Sequence, residues 1–339
     1  MKNSVYFCDM NVTHIRIIDH VDQLPTAGEA TLLDENFFHS STLFRLTAQT
    51  PRQKPYMAVA QAADGQYVGQ LLAIVRYRAS WFPPYFFMHC RILGEGAYSA
   101  QCTNRSELFA QMLQAIRNRL GSRVLYIEVS NLSQKMFGYR EFRKQHFFPV
   151  HWMSIHNSLH SRTPEERISQ QMHKRIVHAY ARGVVTEEVS TEDDFRAFSK
   201  LLHHHNWLKP KRYIPDDAFF RYIQQHYCGR LYVTKYREMV IGCSAVAYSG
   251  RNAYLWYSAF RRKSFAFVHP DIMTIWHAIK DSHQRGYDHI FFLDVGLPFR
   301  KNPFREFILR FGGKPVSTYR WFHVTIGWVN TILSRIYRD

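Results

Sequence analysis

The chain has 339 residues, 46% of them hydrophobic and 21% charged. That is apolar material enough for packed cores, and it excludes a disordered or fibrous chain. At about 150 residues per domain the length predicts two domains. Lys and Arg number 44 against 27 Asp and Glu, a formal net charge of +17, which points to an anionic partner: a phosphorylated ligand, a nucleic acid or an acidic membrane surface.

Aromatic residues reach 16%, which implies aromatic-rich cores or aromatic-lined grooves. Cys8, Cys90, Cys102, Cys228 and Cys243 are odd in number, scattered and never in a C-x-x-C pair. This spacing predicts a reducing compartment, with neither a disulfide framework nor a zinc site. The first twenty residues contain no apolar core of a signal peptide, and no window approaches ~18 uninterrupted apolar residues. A soluble, cytoplasmic protein without a transmembrane segment is expected.

In chain order, residues 56–74 (YMAVAQAADGQYVGQLLAI) form an apolar run, an Asp-Gly turn and a second apolar run, the signature of a β-hairpin. A third strand follows, then a helix over Glu107–Leu120 and a strand over Val124–Val129 that carries Glu128. Arg91-Ile-Leu-Gly94-Glu-Gly96 lies before that helix, but too far from its start to present backbone N–H groups to a phosphate. It reads as a surface turn. Thr163, Pro164 and Glu166 make a capping box with proline at the first helical position. Ile168, Met172, Ile176 and Ala179 then recur at helical spacing up to Gly183.

The same unit then begins again. Residues 231–248 (LYVTKYREMVIGCSAVAY) repeat the hairpin, with a valine and a glycine opening the second strand in both copies. A tyrosine-bearing strand, a helix over Ile272–Arg285 and a strand over Ile290–Val295 follow, so that Asp294 matches Glu128. Two copies of one α/β unit are expected. A short amphipathic helix over Val324–Arg338 closes the chain. His203, His204 and His205 are consecutive and point in three directions on a helix, so no metal site is predicted there or elsewhere.

Four segments of the second half resemble the FemABX group of the GNAT acyltransferase superfamily. They are KRIVHAYARGV (174–184), AYLWYSA (253–259), GYDHIFFLDVG (286–296) and FILRFGGKPV (307–316). The resemblance spans about residues 35–322. It implies an α/β fold of two tandem GNAT-like domains with mixed sheets: 1–162, 163–322, and a C-terminal helix over 323–339. It also implies an amide-forming acyltransferase whose donor is acyl-CoA or aminoacyl-tRNA. The acceptor implied is an amine on a phosphorylated small molecule or sugar nucleotide, a cell-envelope or polysaccharide precursor. tRNA and the inner membrane surface are further partners that it admits. One departure stands out: where the aminoacyl-transferring branch has a lysine after the first Phe of F-K-x-x-F-G-G, this chain has Ile308. That opens an alternative, a catalytically degenerate GNAT-like module binding RNA or an anionic membrane surface.

Acyl transfer to an amine needs a base, a stabilised oxyanion and a proton for the leaving group. Asp294 ends an apolar strand before a Val-Gly-Leu-Pro turn, a position for a base with a raised pKa or for a cap on the turn's N–H groups. Tyr257 is the second catalytic candidate. Tyr254, three residues away in a strand, is expected on the opposite face. Lys209 and Arg212 lie in a Pro-bounded basic loop suited to a diphosphate or a tRNA backbone, and Arg261, Arg262 and Lys263 after the tyrosine strand suit the same ligands. Arg305 and Arg310 are the cations flanking Ile308 and complete the expected substrate-binding set.

Overall fold

The computed structural model describes residues 12–25, 32–79, 85–130, 133, 135–206, 213–226, 228–293, 295–298 and 300–337. The chain divides into two compact units, Met1–Val150 with Thr318–Asp339, and His151–Ser317. In chain order the elements are β1 (Val12–Ile18), α1 (Ser41–Gln49), β2 (Gln53–Ala62), β3 (Tyr67–Ala79), β4 (Phe86–Leu93), β5 (Ala97–Tyr98), α2 (Arg105–Leu120), β6 (Tyr126–Ser130), α3 (Tyr139–Lys144) and β7 (Phe148–Ser158). There follow α4 (Pro164–Arg167), α5 (Gln170–Ala181), β8 (Val184–Glu188), α6 (Glu192–Asn206), α7 (Asp217–Gln225), β9 (Gly229–Tyr236), β10 (Met239–Ser249), β11 (Asn252–Phe260), α8 (Pro270–Gln284), β12 (His289–Phe292), α9 (Pro303–Leu309), β13 (Lys314–Val324) and α10 (Gly327–Ile336). The expected boundaries at 162/163 and 322/323 fall after β7 and inside β13. The chain enters the second unit within β7 and leaves it within β13.

The repeat is present in the strand pairing. In the first unit the neighbours run β1-β2-β3-β4-β6-β13, and in the second β8-β9-β10-β11-β12-β7. Each sheet is antiparallel except for one parallel pair, β4 with β6 and β11 with β12, so both are mixed. In each unit one helix crosses between the two parallel strands, as such a connection requires.

Each crossover helix buries one apolar stripe. In α2 it is Leu108, Phe109, Met112, Leu113, Ile116 and Leu120, the 3.6-residue period of a helix on a sheet. α8 is more buried still, with Ile272, Met273, Ile275, Trp276 and Ile279 inside. The glycine early in the second hairpin strand explains how closely these helices approach. A Cβ on Gly69 would lie 2.8 Å from Leu108 Cδ2, and one on Gly242 only 2.1 Å from Thr274 Oγ1. Leu108 has a flexible end and can yield. Thr274 cannot, because its hydroxyl donates to the carbonyl of Pro270 at 2.7 Å and lies 2.8 Å from Thr234 Oγ1. In the second unit α6 packs on the opposite face of β10 and β11, where the Cys243 thiol meets the carbonyl of Phe198 at 3.7 Å.

Two expected elements differ. The single helix expected from Thr163 to Gly183 is two: the capping box starts α4, which stops at Arg167, and Ser169 caps a new start at α5. Ile168 between them is extended and packs against the core. The C-terminal helix belongs to the first unit. It is pinned there by Asn330, whose amide donates to the carbonyl of His146 at 2.9 Å and accepts from Val324 N–H at 2.9 Å. Gly242→Ala is expected to cost about 1–3 kcal/mol through overpacking against Thr274, and Gly69→Ala less, measured by denaturant unfolding of the two variants beside the parent chain.

Candidate active site

The second unit's β11 carries one residue more than its neighbour accommodates. Tyr257 is paired with Ala245 and Leu255 with Val246, so Trp256 is left over as a β-bulge. A bulge breaks the in-out alternation of a strand. Leu255 lies in the core under α8, whereas Trp256 and Tyr257 both turn to α7, with ring centroids 5.4 Å and 6.5 Å from Phe219. Tyr257 also meets Phe220 at 5.4 Å. Tyr254, on the far side of the bulge, stacks on Phe291 at 5.2 Å. The expectation that the two tyrosines face opposite sides of the sheet is therefore corrected. Across one extra residue, positions three apart share a face.

The bulge also ends the parallel pairing. β11 and β12 pair from Asn252–His289 to Leu255–Phe292 and no further, although β11 continues to Phe260. The strand expected over Ile290–Val295 accordingly stops at Phe292. The two strands part after Leu255 and Phe292. The corresponding pair of the first unit remains closed: β4 and β6 pair from His89–Tyr126 to Leu93–Ser130. The Gly94 N–H continues the ladder to the carbonyl of Ser130 at 2.7 Å.

The Arg91–Gly96 loop of the first unit is likewise committed. The Gly96 N–H donates to His39 Nε2 at 3.0 Å, and Arg91 sits 3.6 Å from the carboxylate of Glu128. Glu128 also accepts from Arg320 at 3.0 Å. It is a buried acid held between two guanidinium groups, and the loop is no phosphate cradle.

A second feature lies where α4, α5 and the end of α9 meet. Arg167, Ser169, Gln171, Met172, Arg175, Leu309, Arg310 and Gly312 line a cavity of ≈ 490 Å³. Three arginines and no acid line it, beside the N-terminus of a helix, a combination suited to an anion. The Phe-Gly-Gly sequence shapes its wall. Phe311 is buried in the core. A Cβ on Gly312 would lie 2.7 Å from the Arg167 backbone oxygen, and one on Gly313 2.7 Å from Ile155 Cγ2. Two of the four resembling segments, 174–184 and 307–316, thus converge on one cavity.

The expected site residues divide as follows. Arg310 lines the cavity with Arg167 and Arg175, which residue-type reasoning did not single out; their signal was their place on either side of the α5 start. Arg305 is spent elsewhere: its guanidinium donates to the carbonyls of Leu297 at 2.5 Å and Arg300 at 2.8 Å, and it holds the 297–300 loop. Ile308 is fully buried in the core under α8, so the backbone turns that position inward, away from the cavity lined by Arg310. Arg262 lies 3.3 Å from Asp271 in the first turn of α8, which leaves that helix start with an acid of its own. Asp294, Lys209 and Arg212 lie outside the described residues. Among the described residues no group of three or more His, Cys, Asp or Glu could hold a metal ion, and no helix is long and apolar enough to cross a membrane.

Residues 166–301 match the family model described as an acetyltransferase (GNAT) domain, so the second unit is built around a domain of that class. Among solved structures the chain is similar to FemX, at 10% identity and a TM-score of 0.62, covering 90% of this chain and 95% of that one. It is similar to the C-terminal domain of a protein described as a lysylphosphatidylglycerol synthetase, from Agrobacterium fabrum, at 11% identity, TM-score 0.57, 86% and 89% covered. It is also similar to a tandem GNAT protein from the clavulanic acid biosynthesis pathway, at 10% identity, TM-score 0.53, 92% and 99% covered. These likenesses show the fold: the chain folds like FemX and like a tandem GNAT protein. Comparison with curated proteins found no match.

Arg175→Ala and Arg310→Ala are each expected to weaken pyrophosphate binding about tenfold or more, with Arg305→Ala leaving it unchanged; isothermal titration checks this. A pH effect follows from the first unit. Burial pushes the His39 and His89 imidazoles down to about 3, with the charges of Arg76, Arg78 and Arg91 adding to the effect at His89. Both stay neutral in the folded chain, while in the unfolded chain each takes up a proton below about pH 6.5. Their contribution is whole above about pH 6.5 and is lost as pH falls toward 3, by up to about 1.4 kcal/mol per pH unit for each histidine. Denaturant unfolding at pH 7 and pH 5 should show the loss, and His89→Gln should reduce its slope.

Proposed function

We propose that this chain is an N-acyltransferase that works from its second unit. Its acyl donor lies along β11 where it parts from β12, and the Arg167–Arg175–Arg310 cavity holds a phosphate of the donor or the acceptor. The observation that carries the reading is the parting of β11 from β12 at Trp256. A carbonyl delivered there meets the main chain of β11, whose N–H groups stabilise the oxyanion, and Asp294, two residues beyond the last paired residue of β12, is the base that deprotonates the amine. Tyr254 and Tyr257 line the same face of the sheet, where they position the acceptor. Lys209 and Arg212 add cations for a diphosphate. The donor is acyl-CoA or an aminoacyl-tRNA, and the acceptor is a phosphorylated amine of the kind found in cell-envelope or polysaccharide precursors, in the cytoplasm or at the inner membrane surface. The similarity to FemX and to a protein described as a lysylphosphatidylglycerol synthetase supports an aminoacyl group.

A second reading, a catalytically degenerate module that binds RNA or an anionic surface, is favoured by Ile308, which offers no charge where the family has a lysine, and by the sequence between β11 and α8, which contains no glycine. One experiment separates the two. The purified chain is screened by thermal shift against acetyl-CoA, longer acyl-CoAs, charged tRNA and sugar nucleotides. A donor at ~100 times its dissociation constant adds about 2.7 kcal/mol and raises the midpoint. Stabilisation by one donor, turnover with it, and loss of turnover in Asp294→Asn with the unfolding midpoint kept are the expected results. Binding of nucleic acid that weakens steeply with salt, without turnover of any donor, would establish the second reading instead.

A further inference from the structure

The C-terminal helix α10 leaves an apolar stripe exposed. The side it turns to the first unit is anchored by a polar residue: Asn330 is 6% exposed and is the one buried residue of the helix. The opposite side carries Trp328, Ile332 and Ile336, which are 71%, 48% and 66% exposed. Spaced four apart, they form one stripe along a helix about 15 Å long, with Thr331 and Arg335 beside it. Ile326 and Tyr337 extend the apolar surface at either end, at 42% and 41% exposed. Folding within the chain gives no reason to expose a tryptophan and two isoleucines while burying an asparagine, and a contiguous exposed apolar patch marks a docking surface.

We propose that α10 docks the chain on an anionic lipid bilayer, lying in the interface plane with Trp328, Ile332 and Ile336 inserted among the lipids. Three observations select this occupant. The stripe is that of an interfacial helix, with an aromatic and two aliphatic side chains on one face. The stretches that adjoin its anchor points in sequence are cationic: 121–125, 139–146 and 323–337 contain Arg123, Arg140, Arg143, Lys144 and Arg335 against one acid, Glu141. Arg123 adjoins Val124, whose carbonyl accepts from Thr325 just before the helix, and Lys144 is two residues from His146, to which Asn330 is bonded. The apolar surface is also small. Five side chains on and beside one ten-residue helix fall short of the ~20–30 residues per side in a stable protein interface, yet suffice for an interfacial helix reinforced by charge. The inference is independent of the transferase reading, since it rests on α10 and the cations near it.

The test is co-sedimentation of the full chain with vesicles of phosphatidylcholine alone and of phosphatidylcholine mixed with phosphatidylglycerol. The chain is expected to partition onto the mixed vesicles and not the neutral ones, and to release partly at high salt. The triple variant Trp328→Ser, Ile332→Ser, Ile336→Ser should lose about tenfold or more of the partition coefficient, with the unfolding midpoint kept because these side chains are exposed. If the triple variant does not fold, Trp328→Ser alone carries the test. Three results would overturn the proposal: no binding of the parent chain to mixed vesicles, binding that all variants retain, or a dimer of the parent chain in sedimentation equilibrium that Trp328→Ser dissociates, which would make a second copy the occupant.

Discussion

One extra residue in one strand governs the second unit. With a bulge at Trp256, β11 keeps its register with β10 as far as Phe260, while its pairing with the parallel β12 ends at Leu255. The sheet therefore remains continuous on one side and opens on the other. The inward-facing residues change at the same point: Leu255 serves the core beneath α8, while Trp256 and Tyr257 serve the aromatic cluster of α7. The parting of the strands and a shared face for two tyrosines meet at a single insertion.

The two copies show what the insertion does by comparison. In the first unit the parallel strands pair to their ends, and the acid that corresponds to Asp294 is an interior strand residue. Glu128 faces Arg91 across the strands and accepts from Arg320. A buried carboxylate between two guanidinium groups holds strands together, and removing one partner would strand a charge in the interior. The same sequence position thus serves as a structural ion where the strands close.

Much of this was legible in the sequence, and the limits have physical causes. Hairpins, crossover helices and the repeat were readable because they rest on local signals: the Asp-Gly turn, the helical period, the glycines at 69 and 242. The bulge was not, since it is a property of register between strands and AYLWYSA reads equally well without it. The break at Ile168 was hidden because one apolar stripe runs through both short helices, and Ser169 is an ordinary residue until it caps. Arg167 and Arg175 could be counted as surface charges but not placed around Arg310, which needs the turn that Gly312 and Gly313 permit. α10 was readable as an amphipathic helix; which side meets the protein was not, and it is the side of Asn330, with Trp328, Ile332 and Ile336 left exposed.

The net charge of +17 is the sequence's most conspicuous number, but it does not locate a site. The arginines differ in what their guanidinium groups already hold. Arg305 gives its donors to loop carbonyls, Arg91 and Arg320 lie against Glu128, and Arg262 answers Asp271. Each of these guanidinium groups already has partners within the fold. Arg167, Arg175 and Arg310 share a cavity with no acid in its lining. Three like charges brought together repel one another unless an anion enters, and among the described residues that cavity gathers three guanidinium groups of the second unit.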